Sequence, residues 1–409
     1  MERKVVITTS AAITPIGNTK TTIMDHLQKG ISGVKKIRED DVMRPHLKTG
    51  LFGSVEYPIE YDFKRSQKKS LGPVGFYAAQ VAKEIIESSG LDQEFISSGR
   101  MGVAFGSTHG SPLVERAMFK DFFSEDFTPQ KINPASYLQT LTHTTAANIA
   151  SIFNITGRVL ASCTACTTSS QSIGFGYEAI KYGIQDVMLC GAADEYDTMT
   201  AMVFDKLLAA SVDYNEEPHK SPRPFDKNRD GLVVGEGSGA ILLEEYEFAK
   251  KRGATILGEV IGFSSSCNGG NLVNPVVEGI KQTLGMGLEN AKISADEVDF
   301  ISAHATSTKI GDIVEAQSIY EIYKDKPYVS AFKSYMGHTM SSCGVIESII
   351  TLYMMQDNVI IPTLNLDEVD EQCNMITHTP GVEEKKINIA SIQNFAFGGV
   401  NTSLFLKRP

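Results

Sequence analysis

The sequence reads Ala161-Ser162-Cys163-Thr164-Ala165-Cys166-Thr167-Thr168 between a short apolar run and a helical pattern that continues to Tyr182. The segment Tyr328–Gln356 repeats this layout of strand, turn rich in small residues and long helix. The repetition suggests an internal duplication, with one half at residues 1–250 and the other at residues 251–409. However, any α/β protein has several strand–turn–helix units, and the two halves are not visibly similar in sequence.

The rest of the chain alternates short β-rich apolar runs with helical patterns, which predicts an α/β protein with a mostly parallel sheet. The predicted strands are Lys4–Thr8, Met101–Phe105, Val187–Cys190, Ile256–Phe263, Val298–Ala303 and Ile387–Ile392. The predicted helices include Pro73–Ser89, Ser169–Tyr182, Val276–Glu289 and Val345–Gln356.

The composition is that of an ordinary globular protein, with 42% hydrophobic and 21% charged residues. The net charge of −11 argues against a surface that binds nucleic acid along its whole length. No stretch is apolar for long enough to cross a membrane, and the run Val5–Ile7 is too short for a signal peptide. We therefore expect a cytoplasmic protein. The six cysteines are spread along the chain and do not have the close spacing of a disulfide framework. Cysteine chemistry is therefore expected to be catalytic, metal-binding or redox.

Cys166 is a candidate nucleophile, because it would lie at a helix N-terminus where free N–H groups and the helix dipole favour a thiolate. A thiolate there can attack a thioester, and neighbouring amides can hold the oxyanion. Cys163 and Cys166 could instead form a redox pair or half of a zinc site, and either could be a small buried side chain. Zinc is disfavoured, because no second Cys-x-x-Cys and no paired histidines lie at ligand spacing.

Two histidines follow predicted strands, at the position where open α/β sheets place their ligands. His304 lies among hydroxyl residues, and His338 lies in a turn that also contains Lys333. Two histidines and a lysine can donate to a carboxylate or to a developing enolate. Each histidine could also be a structural residue in a polar loop, and a metal site lacks a further ligand nearby in the sequence.

Two glycine-rich segments are candidates for turns. At Phe395–Asn401, paired glycines allow a close backbone approach and the aromatic rings could gate a pocket, although a plain turn is the simpler interpretation. The segment Gly235–Gly239 lacks the lysine of a phosphate-binding loop. We therefore predict that it leads into a strand at Ala240–Glu244 and does not bind a nucleotide.

In this combination and order, the motifs resemble those of the elongating β-ketoacyl-acyl-carrier-protein synthases of the thiolase superfamily. The resemblance begins at Val5–Thr8 and ends at Phe397–Asn401, so it covers essentially the whole chain. It implies a thiolase-like, five-layered αβαβα fold and a dimer. Cys163 is then a neighbour of the nucleophile and not its redox partner.

The resemblance also implies how substrate is held. Cys166 matches the nucleophile, and its backbone N–H together with that of Phe397 resembles the oxyanion hole. Phe397 also matches a gating residue. Thr306 and Thr308 match hydroxyls that hold the phosphopantetheine arm. No cofactor is required, because the substrate arrives on the phosphopantetheine of an acyl carrier protein, and no metal is expected.

The implied reaction is a decarboxylative condensation. Cys166 takes an acyl chain from a carrier protein, and a malonyl-carrier protein then loses carbon dioxide to give an enolate that attacks the acyl chain. His304 and His338 match the two catalytic histidines that stabilise the enolate, and Lys333 matches the lysine that orders them. Glu315 lies where the family pairs a carboxylate with that lysine. Two histidines are typical of elongation.

Several positions bear on the acyl substrate. His109 lies where fatty-acid enzymes usually carry an apolar pocket residue, so it is a candidate substrate-binding residue. Ser341–Gly344 replaces a run of glycines and alanines. The segments Gly176–Ile180 and Lys333–His338 are more similar to specialised synthases for aryl polyenes or type II polyketides. These departures leave open whether the pathway makes fatty acids or polyketides.

Two other functions use the same fold. Thiolase-like transfer of an acyl group to coenzyme A would require a second catalytic cysteine near the C-terminal glycine-rich turn. The segment Phe395–Asn401 contains no cysteine. A chain-length partner subunit lacks the nucleophile, whereas this chain has Cys166. The chain could still pair with such a partner, so both a homodimer and a heterodimer stay open.

A basic segment is the candidate surface for the carrier protein. Lys64, Arg65, Lys68 and Lys69 lie close together in an otherwise acidic chain, and on a helix they would form a broad stripe. A charge run is usually a solvated helix face. The resemblance favours docking, because the family binds an acidic carrier protein on a basic patch in this region.

Overall fold

The computed structural model describes residues 2–270 and 275–409. Its strands are β1 Val5–Ile13, β2 Val34–Lys36, β3 Leu51–Gly53, β4 Met101–Gly106, β5 Val159–Leu160, β6 Val187–Asp194, β7 Gly237–Glu245, β8 Gly258–Cys267, β9 Phe300–Ser302, β10 Tyr328–Ser330, β11 Val359–Ile360, β12 Thr377–His378, β13 Glu383–Glu384, β14 Ile389–Phe395 and β15 Val400–Lys407. Its α-helices are α1 Lys20–Lys29, α2 Arg65–Lys68, α3 Pro73–Ser89, α4 Gln93–Ile96, α5 Pro112–Phe122, α6 Pro134–Thr140, α7 Thr144–Phe153, α8 Thr168–Lys181, α9 Thr198–Lys206, α10 Tyr246–Lys251, α11 Val277–Ala291, α12 Lys309–Tyr323, α13 Lys333–Met336 and α14 Cys343–Asp357.

Eleven strands of the described residues form one mixed sheet, in the order β12-β10-β9-β14-β15-β8-β1-β7-β6-β4-β5. Two sets of five neighbouring strands have the same connectivity: β5-β4-β6-β7-β1 and β10-β9-β14-β15-β8. When the strands of each set are numbered by their order in the chain, both sets read 3-2-4-5-1 across the sheet. In each set the second strand is parallel to the third and fourth, and the fifth is antiparallel to the fourth and first. The internal duplication predicted from the sequence is therefore confirmed. The sets join where β1 and β8 pair antiparallel.

Helices cover both halves of the sheet and also separate them. α3 and α7 pack on the outer face of the N-terminal half, and α11 and α12 cover the outer face of the C-terminal half. α8 and α14 lie between the halves, where α8 contacts β4 and β6 and α14 contacts β7 and β14. The layers form the five-layered αβαβα fold, and they bring the N-termini of α8 and α14 together.

The two central helices are tightly packed. On α14, every residue of Val345–Met355 is buried, as expected for a helix that is covered on all sides. On α8, a Cβ at Gly174 would lie 2.3 Å from the Phe263 ring, so only glycine fits there. This packing fixes the α8 N-terminus, which carries Cys166.

The predicted elements are found, with shifted ends. The prediction of a mostly parallel sheet is wrong, because five of the ten strand pairings in the large sheet are antiparallel. The strand predicted at Val298–Ala303 is shortened to Phe300–Ser302, and the one predicted at Ile387–Ile392 is shifted to Ile389–Phe395. The shifts arise because ladder pairing, and not the apolar pattern, determines where a strand ends. The predicted strand Ala240–Glu244 lies within β7. Within the described residues, no helix has the length and apolar character needed to span a membrane.

Candidate active site

Cys166 lies on a tight turn at the N-terminus of α8. Ala165 has a left-handed backbone with φ of 47°, and a 3₁₀ turn spans Ala165–Thr167. The N–H of Thr167 closes the turn by donating to the carbonyl of Thr164 at 3.1 Å. A left-handed residue other than glycine is strained, and such strain is concentrated at functional sites.

Burial determines the resting charge of Cys166, which is only 6% exposed. Burial raises the pKa of the Cys166 thiol to about 12, and the positive charge of Lys333 opposes this rise. The dipole of α8 also favours the thiolate. The resting residue is therefore a thiol, and a neighbouring group has to accept its proton when it attacks.

His338 contacts Cys166 directly. Its Nε2 lies 2.9 Å from Cys166 Sγ. The backbone of His338 is anchored to the segment before β7, since its N–H donates to Val233 at 2.7 Å and its carbonyl accepts from Gly235 at 2.8 Å. Burial, together with the charge of Lys333, lowers the pKa of His338 well below its ordinary value. The ring is therefore neutral at pH 7 and can exchange one proton at Nε2.

His304 provides a second neutral ring beside the first. The ring centroids of His304 and His338 lie 5.3 Å apart, with the planes at 85°. Burial, followed by the charges of Lys333 and His338, lowers the pKa of His304. Glu315 holds this loop, because its two carboxylate oxygens accept the N–H groups of His304 at 2.8 Å and Ala305 at 2.7 Å. Burial raises the pKa of Glu315 to about 8, and these donors oppose the rise.

The predicted pairing of Lys333 with Glu315 is wrong, because the hydrogen-bond partner of Lys333 is Glu347. Lys333 Nζ donates to Glu347 Oε1 at 2.5 Å, and the two side chains are 1% and 0% exposed. Burial alone would lower the pKa of Lys333, but the Glu347 carboxylate raises it, so the lysine stays protonated. The other oxygen of Glu347 accepts from Asn394 at 2.8 Å, and Asn394 accepts from Ser170 of α8 at 2.5 Å.

Glu347 and Asn394 are site residues that the sequence analysis missed. Glu347 lies inside the apolar helical pattern Val345–Gln356. A carboxylate in a buried helix needs a charged or hydrogen-bonding partner, so its presence in that pattern was an available signal. Asn394 is a lone amide near the end of a predicted strand, and its partners become visible only in the fold.

A cavity of about 430 Å³ leads from the surface to these groups. Its lining runs from the exposed Leu208 and Ile310 to the buried Cys166. The hydroxyls of Thr306 and Thr308 also line it and lie 3.2 Å apart. The volume is in the range of small-molecule sites.

Phe397 lies on the turn between β14 and β15. Gly398 and Gly399 have φ of 90° and 73°, which glycine adopts without strain. The Phe397 ring is 40% exposed and stacks on Phe204, with centroids 5.4 Å apart. Both rings line the cavity. This position is compatible with the gating role, which stays a prediction.

His109 and Cys163 lie apart from the lining of the large cavity. His109 is exposed and lines a separate cavity of about 10 Å³ together with Asp194. Its substrate-binding role stays a prediction. Cys163 is exposed, and its Sγ donates to the carbonyl of Thr108 at 3.6 Å. The short contact of Cys166 Sγ is therefore with His338. This contact favours the interpretation of Cys166 as a nucleophile over a redox pair of Cys163 and Cys166.

The site also contains a set of atoms that could bind a metal ion. Ligand atoms of Cys166, His304 and His338 all lie within 4.8 Å of one another. Zinc-bound histidines usually donate their second ring nitrogen to an acceptor, but the Nδ1 atoms of both rings have no hydrogen-bond partner within the described residues. The protonated Lys333 would also repel a cation. Both features favour acyl chemistry here.

The basic segment is exposed, and its residues are not among those that line the cavity. Lys64 precedes α2, a single turn, and its side chain and those of Arg65, Lys68 and Lys69 are exposed. The segment contacts α6, because Gln139 donates to the carbonyl of Lys69 at 3.0 Å. The docking role of this segment stays a prediction.

Fold and site together define a cysteine-dependent condensing enzyme with a thiolase fold. Family comparison agrees: residues 2–249 match the β-ketoacyl synthase N-terminal domain, and residues 257–367 match the C-terminal domain. The chain is 32% identical to the 3-oxoacyl-[acyl-carrier-protein] synthase 1 of Haemophilus influenzae, over 99% of each chain. The chain belongs to the β-ketoacyl synthase family.

Solved structures show the same fold over the full chain. A β-ketoacyl synthase from Burkholderia phymatum STM815 is 37% identical, with a TM-score of 0.94 and 100% coverage of both chains. A type II PKS acyl-carrier protein in complex with its ketosynthase, and the ishigamide ketosynthase/chain length factor, are 26% and 27% identical; each has a TM-score of 0.89 and 100% coverage of both chains.

Proposed function

We propose that the chain condenses a malonyl-carrier protein with an acyl chain bound to Cys166, releasing carbon dioxide and a β-ketoacyl-carrier protein. The contact of 2.9 Å between Cys166 Sγ and His338 Nε2, in a cavity open to the surface, carries this proposal. It places a nucleophile, a proton acceptor and a second neutral histidine around one reacting atom.

In the first half-reaction, Cys166 attacks the carbonyl carbon of an acyl thioester. A bond forms from that carbon to Cys166 Sγ, and the bond to the sulfur of the carrier's arm breaks. His338 is placed to receive the proton of Cys166 and to return it to the departing thiol. Because the thiol is protonated at rest, we expect this transfer to accompany the attack.

In the second half-reaction, the malonyl group loses carbon dioxide, and the electrons of the broken carbon–carbon bond form an enolate. Its carbon attacks the carbonyl carbon of the Cys166 thioester, so that a carbon–carbon bond forms and the bond to Cys166 Sγ breaks. The departing thiolate then takes up one proton from solvent, which restores the resting thiol. The neutral ring of His304 can donate an N–H group to the enolate oxygen, and His338 can do so in the tautomer that carries its ring proton on Nε2, the nitrogen that faces Cys166. The ammonium group of Lys333 adds a fixed positive charge nearby.

We further propose that the reaction requires no cofactor or metal. Substrate carbon arrives as a thioester, and carbon dioxide loss supplies the carbanion, so the chain has to supply only a nucleophile, proton transfer and charge stabilisation. Thr306 and Thr308 would hold the phosphopantetheine arm through their hydroxyls, which line the cavity. The cytoplasmic location stays a prediction.

The acyl substrate is proposed to be a polyketide-type or polyene-type chain. The motif similarities at Gly176–Ile180 and Lys333–His338 support this choice, and type II PKS ketosynthases are among the structural neighbours. Incubation with acyl-carrier proteins bearing saturated, polyketide and aryl-polyene chains, followed by intact-protein mass spectrometry, would measure which chain acylates Cys166. Preference for a saturated chain would favour fatty-acid elongation.

A second ketosynthase-like chain is proposed to cover α5 and β5. The side chains of Phe119, Phe122 and Phe123 on and after α5 are 47%, 50% and 76% exposed. β5 is the last strand of the sheet, and Val159 on it is 45% exposed. An exposed apolar patch and an open sheet edge are both typical of interfaces. Native mass spectrometry of the chain alone separates the alternatives: a dimer supports a homodimer, and a monomer supports a heterodimer.

Docking of the carrier on the basic segment has its own test. Replacing Lys64 and Lys68 by Glu should raise the KM for carrier-bound substrate about two- to fivefold and flatten its salt dependence, because exposed charges contribute modest, screened energies. Turnover of a small thioester is the reference. An equal effect on both substrates would show that the segment is structural.

The central experiment combines acyl-carrier protein and malonyl-carrier protein with the enzyme, and measures carbon dioxide and the β-ketoacyl product. Both should form with the wild type and be lost in Cys166→Ala. Transfer of the acyl chain to coenzyme A, with no release of carbon dioxide, would instead support the thiolase-like alternative. Phe395–Asn401 contains no cysteine for that reaction, although the Cys267 Sγ donates to the carbonyl of Gly398 at 3.4 Å. Cys267→Ala is therefore an informative control.

A further inference from the structure

Cys343, the first residue of α14, is a buried thiol that the proposed reaction does not use. Its side chain is 1% exposed and lies outside the cavity lining. Burial raises the pKa of the Cys343 thiol well above its ordinary value, so the group stays protonated and is a poor nucleophile. A protonated thiol can still act as a hydrogen-bond donor.

The thiol of Cys343 lies between two groups of the active site. It donates to the backbone carbonyl of Cys166 at 3.2 Å, and its sulfur accepts from the side-chain amide of Asn394 at 3.6 Å. The same amide nitrogen donates to Glu347 at 2.8 Å, and Glu347 is the carboxylate that accepts from Lys333. A continuous chain of hydrogen bonds therefore runs from Lys333 to the backbone of Cys166.

Close packing of α14 against α8 holds Cys343 in this place. The N–H of Val345 donates to the hydroxyl of Ser169 on α8 at 3.0 Å. A Cβ at Gly344 would lie 2.1 Å from the hydroxyl oxygen of Ser170 and 2.6 Å from the amide oxygen of Asn394, so a side chain there would push these groups apart. The position of the thiol is therefore set by the packing of the two helices.

The corresponding residue of the N-terminal half has a different partner. Thr168 is the first residue of α8, as Cys343 is of α14. The hydroxyl of Thr168 accepts the N–H of Thr164 at 2.8 Å, so it closes the turn of its own half. Cys343 reaches instead across to Cys166. The same position thus stabilises a local turn in one half and connects the two halves in the other.

We propose that Cys343 is a positioning residue for the nucleophile Cys166. By holding the carbonyl of Cys166, its thiol restricts rotation of that residue and keeps Sγ at 2.9 Å from His338 Nε2. Proton transfer and attack both require close contact of the reacting atoms, so a displaced Sγ reacts more slowly. The inference rests on the proposed function and adds a residue that acts through Cys166.

The test compares Cys343→Ala, Cys343→Ser and a matched control, Cys190→Ala. Serine keeps a donor and an acceptor at position 343, whereas alanine removes both. Cys190 is 0% exposed and outside the cavity lining, and its thiol donates within β6, to the carbonyl of Met188 at 3.8 Å. The two alanine variants each lose one buried sulfur, so their melting temperatures should fall by similar amounts.

Single-turnover acylation of Cys166 is measured by rapid quench, with the carrier-bound chain that acylates the wild type fastest. Cys343→Ala should lower the maximal rate about three- to tenfold, the effect of losing one hydrogen bond that positions the nucleophile. The half-saturating concentration should not change, because Cys343 is outside the cavity lining. Cys343→Ser should stay within about twofold of the wild type, and Cys190→Ala should acylate at the wild-type rate.

Three results would overturn the proposal: an unchanged rate in Cys343→Ala, equal slowing in Cys190→Ala, or no recovery in Cys343→Ser. Infrared spectroscopy adds a measurement that does not depend on the alanine variant folding. The S–H stretch of Cys343, identified as the band missing from Cys343→Ser, should lie at a lower frequency than that of an unbonded thiol. A band at the unbonded frequency would also overturn the proposal. A wild type that no carrier-bound chain acylates would instead overturn the proposed function.

Discussion

The two central helices begin with the same turn. In the N-terminal half, Thr167 donates its N–H and its hydroxyl to the carbonyl of Thr164, at 3.1 and 2.8 Å. In the C-terminal half, Ser342 makes the same two bonds to Thr339, also at 3.1 and 2.8 Å. The residue after each acceptor is left-handed, with φ of 47° and 49°. The duplication has thus preserved the turn in both halves.

The residue that follows the left-handed one has different partners in the two turns. Cys166 Sγ faces the cavity and lies 2.9 Å from His338 Nε2. Ser341, its counterpart, is 0% exposed. Its hydroxyl donates to Ala193 at 3.2 Å, and its N–H donates to the carboxylate of Asp194 at 2.8 Å. The same strained turn therefore presents a reactive side chain in one half and a satisfied one in the other.

The residues that precede the turns are also counterparts. Cys163 lies just before Thr164, and His338 lies just before Thr339. Of this pair, His338 reaches across to the nucleophile of the other half, whereas Cys163 is exposed. The site is therefore built from unlike positions of two like turns: one turn supplies the proposed nucleophile and the other supplies the proposed proton acceptor. Each prediction below tests part of this difference.

The largest expected effect is at the nucleophile. Cys166→Ala should lower condensation by more than about a thousandfold, because no other thiol lines the cavity within the described residues, while Cys163→Ala should keep most of the rate. Adding Ser341→Cys to Cys166→Ala should not restore activity, because position 341 faces Ala193 and not the cavity. Product formation and the mass of the acylated enzyme would be measured. An acyl adduct at position 341 would show that the two turns are interchangeable.

The second prediction tests the proton donor of the C-terminal turn. Cys166→Gln resembles an acylated cysteine and should still decarboxylate malonyl-carrier protein. Adding His338→Ala should lower that decarboxylation about 10²- to 10⁴-fold, since the enolate loses a donor. Carbon dioxide release by the two variants is the measurement. Equal release would remove His338 from enolate stabilisation.

The third prediction compares the two glutamates of the C-terminal half. Glu347→Gln leaves Lys333 as a buried charge without its carboxylate, which should cost about 3–5 kcal/mol of unfolding free energy. Glu315→Gln keeps one acceptor for the backbone of the His304 loop and should cost about 1–3 kcal/mol. Urea unfolding would measure both. A larger loss of unfolding free energy in Glu315→Gln than in Glu347→Gln would instead support the pairing of Lys333 with Glu315 that the sequence predicted.

The fourth prediction concerns the stability of the folded protein at acidic pH. His304 and His338 are neutral in the folded protein because burial lowers their pKa values, whereas the unfolded chain protonates them as the pH falls below about 6.5. Below that pH the unfolded state binds more protons, so stability falls, by at most about 1.4 kcal/mol per pH unit for each histidine. His338→Gln should make this decline shallower, and Cys163→Ala should leave it unchanged. The unfolding free energy between pH 5 and 7 checks both variants.

Sequence reasoning reached the fold and most of the site because strand–turn–helix patterns and family motifs are local. It found Cys166, His304, His338 and Lys333, which the structure brings together. It mispaired Lys333, because the partner depends on how α14 packs against α13 and β14, which spacing does not reveal. It could not see that Leu208 borders the cavity, because that depends on which segments, distant in the sequence, line it together.

The smallest expected effect separates the turns themselves. Thr167→Ala and Ser342→Ala each remove one hydroxyl bond of 2.8 Å from an otherwise identical turn. Each loss should lower the unfolding free energy by a similar amount, about 0.5–1.5 kcal/mol. Only Thr167→Ala loosens the backbone that carries the nucleophile, so it alone should slow acylation of Cys166, by up to about tenfold. Rapid-quench acylation and urea unfolding measure the two effects. If Ser342→Ala slowed acylation equally, the two turns would act as one unit, joined where the thiol of Cys343 donates to the carbonyl of Cys166 at 3.2 Å.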